Sequence, residues 1–266
     1  MSIERPAAVP KGGLRGRRVL ITRPAGQARR LVEALEDEGA QAVTAPAIRI
    51  EPPASWEDVD RAIRDGGYDW VIFTSANGVR AFWGRLNEAH RGADWFAGAR
   101  IAAIGPETAR ALTTIGVRPD LVPDEYVAEA LIACLADAGP LDGMRVLLPR
   151  TDIARETLAV GLRDRGAVVD QVATYRTVTS APPPGLLAQL RAGEIDAVTF
   201  TSSSTVRGLL EMLGGETDAL NGVVVACIGP VTADTARSLG LHPAVVAHTY
   251  TAEGLVTALR AYFAAR

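Results

Sequence analysis

The chain has 266 residues, 48% of them hydrophobic and 22% charged, and a formal net charge of −3. That is apolar material for sizeable buried cores, with no basic field to attract nucleic acid and no apolar run long enough to cross a bilayer. Lys11 is the only lysine among 28 basic residues, which removes Schiff-base lysine chemistry and P-loop nucleotide hydrolysis from consideration.

From the N-terminus, MSIERPAAVPKGGLRGRR has Pro, Gly and charge where a secretory signal needs an apolar stretch. It reads as a loose tail, and the protein as cytoplasmic. Gly12-Gly13-Leu14-Arg15-Gly16 comes before the first strand instead of after it, so it is no dinucleotide fingerprint, and a Rossmann oxidoreductase falls away. Val19–Thr22 is the first short, β-rich apolar run. Arg23-Pro24 follows it, and then a helical period over Gln27–Glu38 that Gly39 ends in a left-handed cap. Ala47–Ile50 alternates as a strand does. Val71–Thr74 is the next buried strand, leading into the turn Thr74-Ser75-Ala76-Asn77. Ile101–Ile104 leads into Gly105-Pro106-Glu107-Thr108, with proline where the first residue of a helix accepts it.

The pattern then begins again. Val146–Leu148 precedes Pro149-Arg150 and a helical period over Ile153–Arg165 that stops at Gly166. Thr174–Thr177 alternates, Val198–Thr201 opens the turn Thr201-Ser202-Ser203-Ser204, and Val223–Ile228 opens Gly229-Pro230-Val231-Thr232. RVLITRPAGQARRLVEAL pairs with RVLLPRTDIARETLAVGL, YDWVIFTSANGVRAFWGRL with IDAVTFTSSSTVRGLLEML, and IAAIGPETARALTTIGVRPDLV with VACIGPVTADTARSLGLHPAVV. A repeat of this length predicts two similar lobes with a cleft between them, each an open parallel sheet covered by helices on both faces.

Ligands of such sheets bind beyond the carboxyl ends of the strands, where the turns lie. Unsatisfied first-turn amides and the positive end of the helix dipole suit those turns to anions, although Ser, Thr and Asn also cap helices for no other purpose. Arg23 and Arg150 put a guanidinium at the same edge, as candidate carboxylate clamps. His90, His242 and His248 show no metal-binding spacing, Cys134 and Cys227 read as buried thiols, and no nucleophile elbow is present. A protein without metal or cofactor is the expectation. Up to this point an enzyme and a two-lobed module that closes on a small anion without chemistry are both open.

VLITRP near the start, FTSANGV and FTSSSTV in the two halves, AIGPETA and CIGPVTA after them and VATYRTV between resemble uroporphyrinogen-III synthase, over nearly the whole chain from about Arg17. The resemblance implies two flavodoxin-like lobes joined by a two-stranded linker, the first lobe discontinuous. On this sequence the first lobe becomes 1–47 with 179–266 and the second 54–172. The crossings fall near 48–53 and 173–178, because Ile48 and Tyr175 each stand 30 residues into their repeats (18 to 48, 145 to 175). The implied reaction closes the linear tetrapyrrole hydroxymethylbilane to uroporphyrinogen III, with loss of water and inversion of the terminal ring, in tetrapyrrole biosynthesis.

By motif position the resemblance gives carboxylate binding to Thr74, Ser75, Asn77, Thr108, Thr201, Ser202, Ser203, Ser204 and Thr232 along with the Gly-Pro turns, and protonation of the departing hydroxyl to Tyr175. It implies a polycarboxylate substrate and no cofactor. Charge and hydropathy predict no nucleic acid or membrane partner, and because the cleft already supplies the needed concavity a monomer is expected, in at most transient contact with the preceding pathway enzyme.

Overall fold

The computed structural model describes residues 13–154 and 156–266. The expected tail through Gly12, with Lys11, lies outside the described residues. In chain order the first half holds β1 (Arg18–Ile21), α1 (Ala25–Asp37), β2 (Gln41–Thr44), β3 (Ile48–Glu51), α2 (Glu57–Asp65), β4 (Trp70–Phe73), α3 (Ala76–Glu88), β5 (Arg100–Ala103), α4 (Pro106–Thr114) and α5 (Ala128–Asp137). The second half holds β6 (Arg145–Thr151), α6 (Thr157–Arg163), β7 (Val168–Thr179), α7 (Leu186–Arg191), β8 (Ala197–Phe200), α8 (Ser203–Met212), β9 (Val224–Cys227), α9 (Pro230–Ser238), β10 (Pro243–Val246) and α10 (Ala252–Ala264). They divide into two compact units, one of residues 1–49 and 178–266, the other of residues 50–177.

The first unit is a parallel sheet in the order β10-β9-β8-β1-β2. Its strands are apolar on both faces because both are covered. Val19 and Ile21 turn to one side, where Leu31 and Leu35 of α1 and Leu255 and Leu259 of α10 pack. Leu20, Val198 and Phe200 turn to the other, against Leu186 of α7, Leu209 of α8 and Ala233 of α9. α1 stops where Gly39 takes a φ of +82°, a conformation that costs a side-chain-bearing residue about 1 kcal/mol or more.

The second unit is a sheet in the order β3-β7-β6-β4-β5, parallel from β7 to β5. Val71, Phe73 and Leu147 face Val59 of α2, Phe82 of α3 and Leu112 of α4. Trp70, Ile72 and Leu148 face Leu131 of α5 and Leu162 of α6. In repeat terms β6 answers to β1, β7 to β2, β4 to β8 and β5 to β9, while an isolated parallel bridge from Ala102 to Leu121 stands for β10. Both sheets therefore have the flavodoxin-like strand order. One repeated detail pins the strand starts: Asp69 accepts from the backbone N–H of Arg145 at 2.7 Å and Asp196 from that of Arg18 at 2.8 Å.

Two expectations change in detail. The helix predicted over Ile153–Arg165 starts only at Thr157, because β6 runs on to Thr151 and Glu156 turns its carboxylate to Arg150 at the strand end. Ile153 is left 64% exposed instead of packed. The short alternating segment Thr174–Thr177 is the end of the 12-residue strand β7.

Candidate functional site

In each sheet the chain leaves the central strand in opposite directions, from β6 to β7 and from β4 to β5 in the second unit, so the topological switch lies between β6 and β4. Thr74, Ser75 and Asn77 follow β4 at that point, and Arg150 stands at the penultimate position of β6. Ser75 is the N-cap of α3: its Oγ accepts from the N–H of Gly78 at 3.0 Å. A methyl group on Gly78 would stand 3.0 Å from the carbonyl oxygen of Pro149, so the missing side chain lets the first turn of α3 sit against β6.

The phenol of Tyr175 lies 2.9 Å from the same Ser75 Oγ. β7 brings it there through an irregularity. Arg150 pairs with Ala173 but Thr151 with Tyr175, leaving Thr174 as an extra residue that re-aims the end of the strand. Thr174 is fully buried and donates to the carbonyl of Arg150 at 3.3 Å, which fixes the bulge. Tyr175 is 7% exposed, and burial pushes its hydroxyl above the usual phenol range, opposed by the hydrogen bond with Ser75. Ser75 carries one proton and two lone pairs, one of which takes the Gly78 amide. If it donates its proton to the phenol oxygen, the phenol O–H is left to donate to a ligand. Ile48 holds the corresponding place in the first repeat, so the phenol–serine pair is built once.

Arg150 is not an open clamp. It is 7% exposed, donates to Glu156 at 3.0 Å and to Gln171, and Gln171 in turn donates to Glu156 at 3.2 Å. Burial draws its guanidinium below the usual arginine range, while Glu156 opposes that shift. Gln171 and Glu156 carried no sequence signal, because neither belongs to a motif and they meet only through β6–β7 pairing. Beyond β5, Gly105 is the N-cap of α4 with Pro106 at its first position, Glu107 is exposed and Thr108 is buried in the first turn.

The first unit repeats the edge with different side-chain partners. Ser202 caps α8 in a reciprocal box with Thr205, each backbone N–H reaching the other's hydroxyl at 3.3 Å. Ser203 shares a 2.7 Å hydrogen bond with Thr235 of α9. Thr201 and Ser204 are half-buried, as is Thr74 in the other unit, and the hydroxyls of all three engage no partner among the described residues. Gly229 caps α9, Pro230 and Val231 are exposed and Thr232 is buried. Arg23 is half-buried between β1 and α1 and has a partner of its own. Every residue singled out from the turns thus lies at a carboxyl edge, Thr74 to Thr108 and Arg150 with Tyr175 in the second unit, Arg23 and Thr201 to Thr232 in the first. Among the described residues no group of three His, Cys, Asp or Glu side chains could hold a metal ion, and no helix is long and apolar enough to cross a membrane.

Comparison with known proteins gives the family and the fold. The family described as Uroporphyrinogen-III synthase HemD matches residues 29–257. A uroporphyrinogen-III synthase of Synechococcus elongatus is 35% identical, covering 92% of this chain and 94% of its own. A putative one of Methanothermobacter thermautotrophicus is 34% identical, over 90% and 96%. In fold, a mutant uroporphyrinogen III synthase from the extremely thermophilic bacterium Thermus thermophilus superposes with a TM-score of 0.70 at 24% identity, covering 94% of this chain and all of the other. A family match across this span, with relatives above 30% identity over most of their own length, makes the chain a member of the uroporphyrinogen-III synthase family.

Proposed function

We propose that the protein closes hydroxymethylbilane to uroporphyrinogen III, with Tyr175 as the acid that assists departure of the terminal hydroxyl. The observation that carries this reading is the buried phenol of Tyr175 on Ser75 at the switch point of its sheet. The phenol hands its proton to the hydroxyl as the carbon–oxygen bond breaks, water leaves, and the cation is delocalised over the pyrrole. The substituted carbon of the last ring attacks first and gives a spiro intermediate; its bond to the neighbouring methylene then breaks, the ring turns over, and the freed methylene cation is captured at that ring's unsubstituted carbon. A proton lost from the closing ring balances the one that was given. A phenol carries its proton through the whole neutral range and so is loaded before reaction; burial weakens it as an acid, and the hydrogen bond with Ser75 opposes that shift.

The remaining task is conformational: the substrate must be bent so that the rarer closure precedes the spontaneous one. Carboxylates on every pyrrole supply the handles. The free hydroxyls of Thr74, Thr201 and Ser204 and the first-turn amides of α3, α4, α8 and α9 are the donors we assign to them. Arg150, tied to Glu156 and Gln171, acts by holding the end of β6 in register with Tyr175. A cytoplasmic monomer is part of the same reading, and equilibrium sedimentation checks the mass.

The test is to supply enzymatically generated hydroxymethylbilane, oxidise the products and separate the isomers. Isomer III is expected in excess over isomer I; isomer I alone at the uncatalysed rate would leave a binding module without chemistry.

A further inference from the structure

Among the large apolar side chains left exposed in the described residues, two are aromatic, Tyr126 at 37% and Tyr250 at 41%. They are repeat counterparts. Val122-Pro123-Asp124-Glu125-Tyr126-Val127-Ala128-Glu129 aligns with Val246-Ala247-His248-Thr249-Tyr250-Thr251-Ala252-Glu253, and each tyrosine stands one residue before the N-cap of its helix, α5 or α10.

In both units the ring lies on the same backbone. A methyl group added at Gly105 would meet Cγ of Tyr126 at 3.2 Å, and one added at Gly229 would meet Cδ1 of Tyr250 at 3.1 Å. Gly105 has a φ of −169° and Gly229 of −176°, an extended backbone that any residue adopts, so conformation gives no reason for glycine at either place. Close seating of the ring does. The bland role of an aromatic at this position is to staple the chain to the fourth residue of the helix, here Leu131 and Leu255. A staple buries its side chain, whereas these rings keep more than a third of their surface in solvent. Each also sits at the mouth of a Gly-Pro turn whose helix carries a buried threonine, Thr108 or Thr232, with no hydroxyl partner among the described residues.

From this we infer that Tyr126 and Tyr250 are substrate-contacting faces, each taking one pyrrole ring by offset or edge-on stacking while the adjoining helix start receives a carboxylate of that ring. The inference deepens the proposed function and rests on it for the identity of the ligand. Aromatic contact is what a flexible chain of four rings needs from a protein that must choose its conformation. An aromatic ring with amides beside it also matches a pyrrole bearing acetate and propionate better than it matches a small apolar anion.

The experiment uses the full chain with Tyr126→Phe, Tyr126→Leu, Tyr250→Phe and Tyr250→Leu. Leucine preserves a staple and removes the aromatic face; phenylalanine preserves the face. KM and kcat are measured with hydroxymethylbilane, and uroporphyrin III, a planar aromatic polycarboxylate, is titrated by equilibrium dialysis as a probe independent of turnover. Each Leu variant is expected to raise KM and the uroporphyrin III dissociation constant about fivefold, the order of one aromatic contact, with kcat and Tm held and both Phe variants close to the parent. Unchanged constants in the Leu variants overturn the inference, and so do Phe variants that lose as much as Leu, which would make the hydroxyl the contact. Should a Leu variant unfold, Met at the same position replaces it, with the same outcomes. Isomer I alone from the parent enzyme would sink the reaction but not the stacking, which the dialysis arm decides separately.

Discussion

Tyr175 and Ser75 form one hydrogen-bonded pair but have different structural duties, and their variants separate chemistry from folding. Tyr175→Phe removes one hydroxyl and keeps the packed ring, so turnover is expected to fall about a hundredfold or more while stability changes by about 1 kcal/mol or less. Ser75→Ala also removes the cap of α3, costing about 1 kcal/mol in addition to any loss of turnover. Initial rates and thermal unfolding of the two variants check both statements; near-parental turnover in Tyr175→Phe would remove the phenol from the reaction. The pH dependence follows from the same burial. The folded-state pKa of Tyr175 lies above its unfolded value, so the native protein holds this proton more tightly, and the stabilisation is complete below about pH 10 and is lost as pH rises through the folded value. Melting temperatures at pH 8 and pH 10.5 should therefore shift in favour of Tyr175→Phe at the higher pH. A parent that loses no more than the variant would contradict the buried assignment.

At the scale of elements, two glycines in helices give opposite expectations for one substitution. Gly84 lies exposed in α3 with nothing within 4 Å of an added methyl group, so Gly84→Ala should raise stability by about 0.5–1 kcal/mol through helix propensity. In α8, a methyl group added at Gly208 would stand 2.5 Å from Cγ2 of Ile48 and 2.7 Å from the carbonyl oxygen of Ala47, so Gly208→Ala should cost about 2 kcal/mol despite the same propensity gain. Denaturant midpoints decide both, and Gly208→Ala matching Gly84→Ala would mean that α8 is free to move off the 47–48 segment. Sequence alone could not separate these glycines, because the difference is made by a strand more than 150 residues away in the chain. The helices and strands were legible for the opposite reason. Apolar runs such as Val71–Phe73 and the period Ala28, Leu31, Leu35 are local, and Gly39 and Gly166 marked helix ends by their own conformational freedom. The capping serines were legible as well. Nothing local announced the bulge at Thr174 that aims Tyr175, nor the closed set of Arg150, Glu156 and Gln171, since both arise from how β6 and β7 register. The motif showed where Arg150 lies but not that its charge is already engaged.

For the whole molecule, the repeat made two similar α/β sheets readable, and the equal spacing of Ile48 and Tyr175 made an exchange of segments conceivable, but periodicity cannot say which half a strand joins. In the first unit the chain leaves and returns at one place: the N–H of Ser180 donates to the carbonyl of Ala47 at 3.0 Å, and Arg49 reaches the carbonyl of Thr179 at 3.5 Å. Residues 50–177 are thus an insertion between neighbouring points, an arrangement in which host and insert each keep a complete sheet and core. Replacing 50–177 by a short Gly/Ser turn of about four residues should therefore leave a chain that folds, with five strands and no tryptophan, because Trp56, Trp70, Trp83 and Trp95 all belong to the insert. The complementary fragment 48–179, which carries β3 through β7 whole, should fold with Trp70 buried and its emission blue-shifted. Far-UV circular dichroism of the first and fluorescence-detected unfolding of the second should each give a single cooperative transition. Loss of cooperativity in either one would show that its core depends on the other unit.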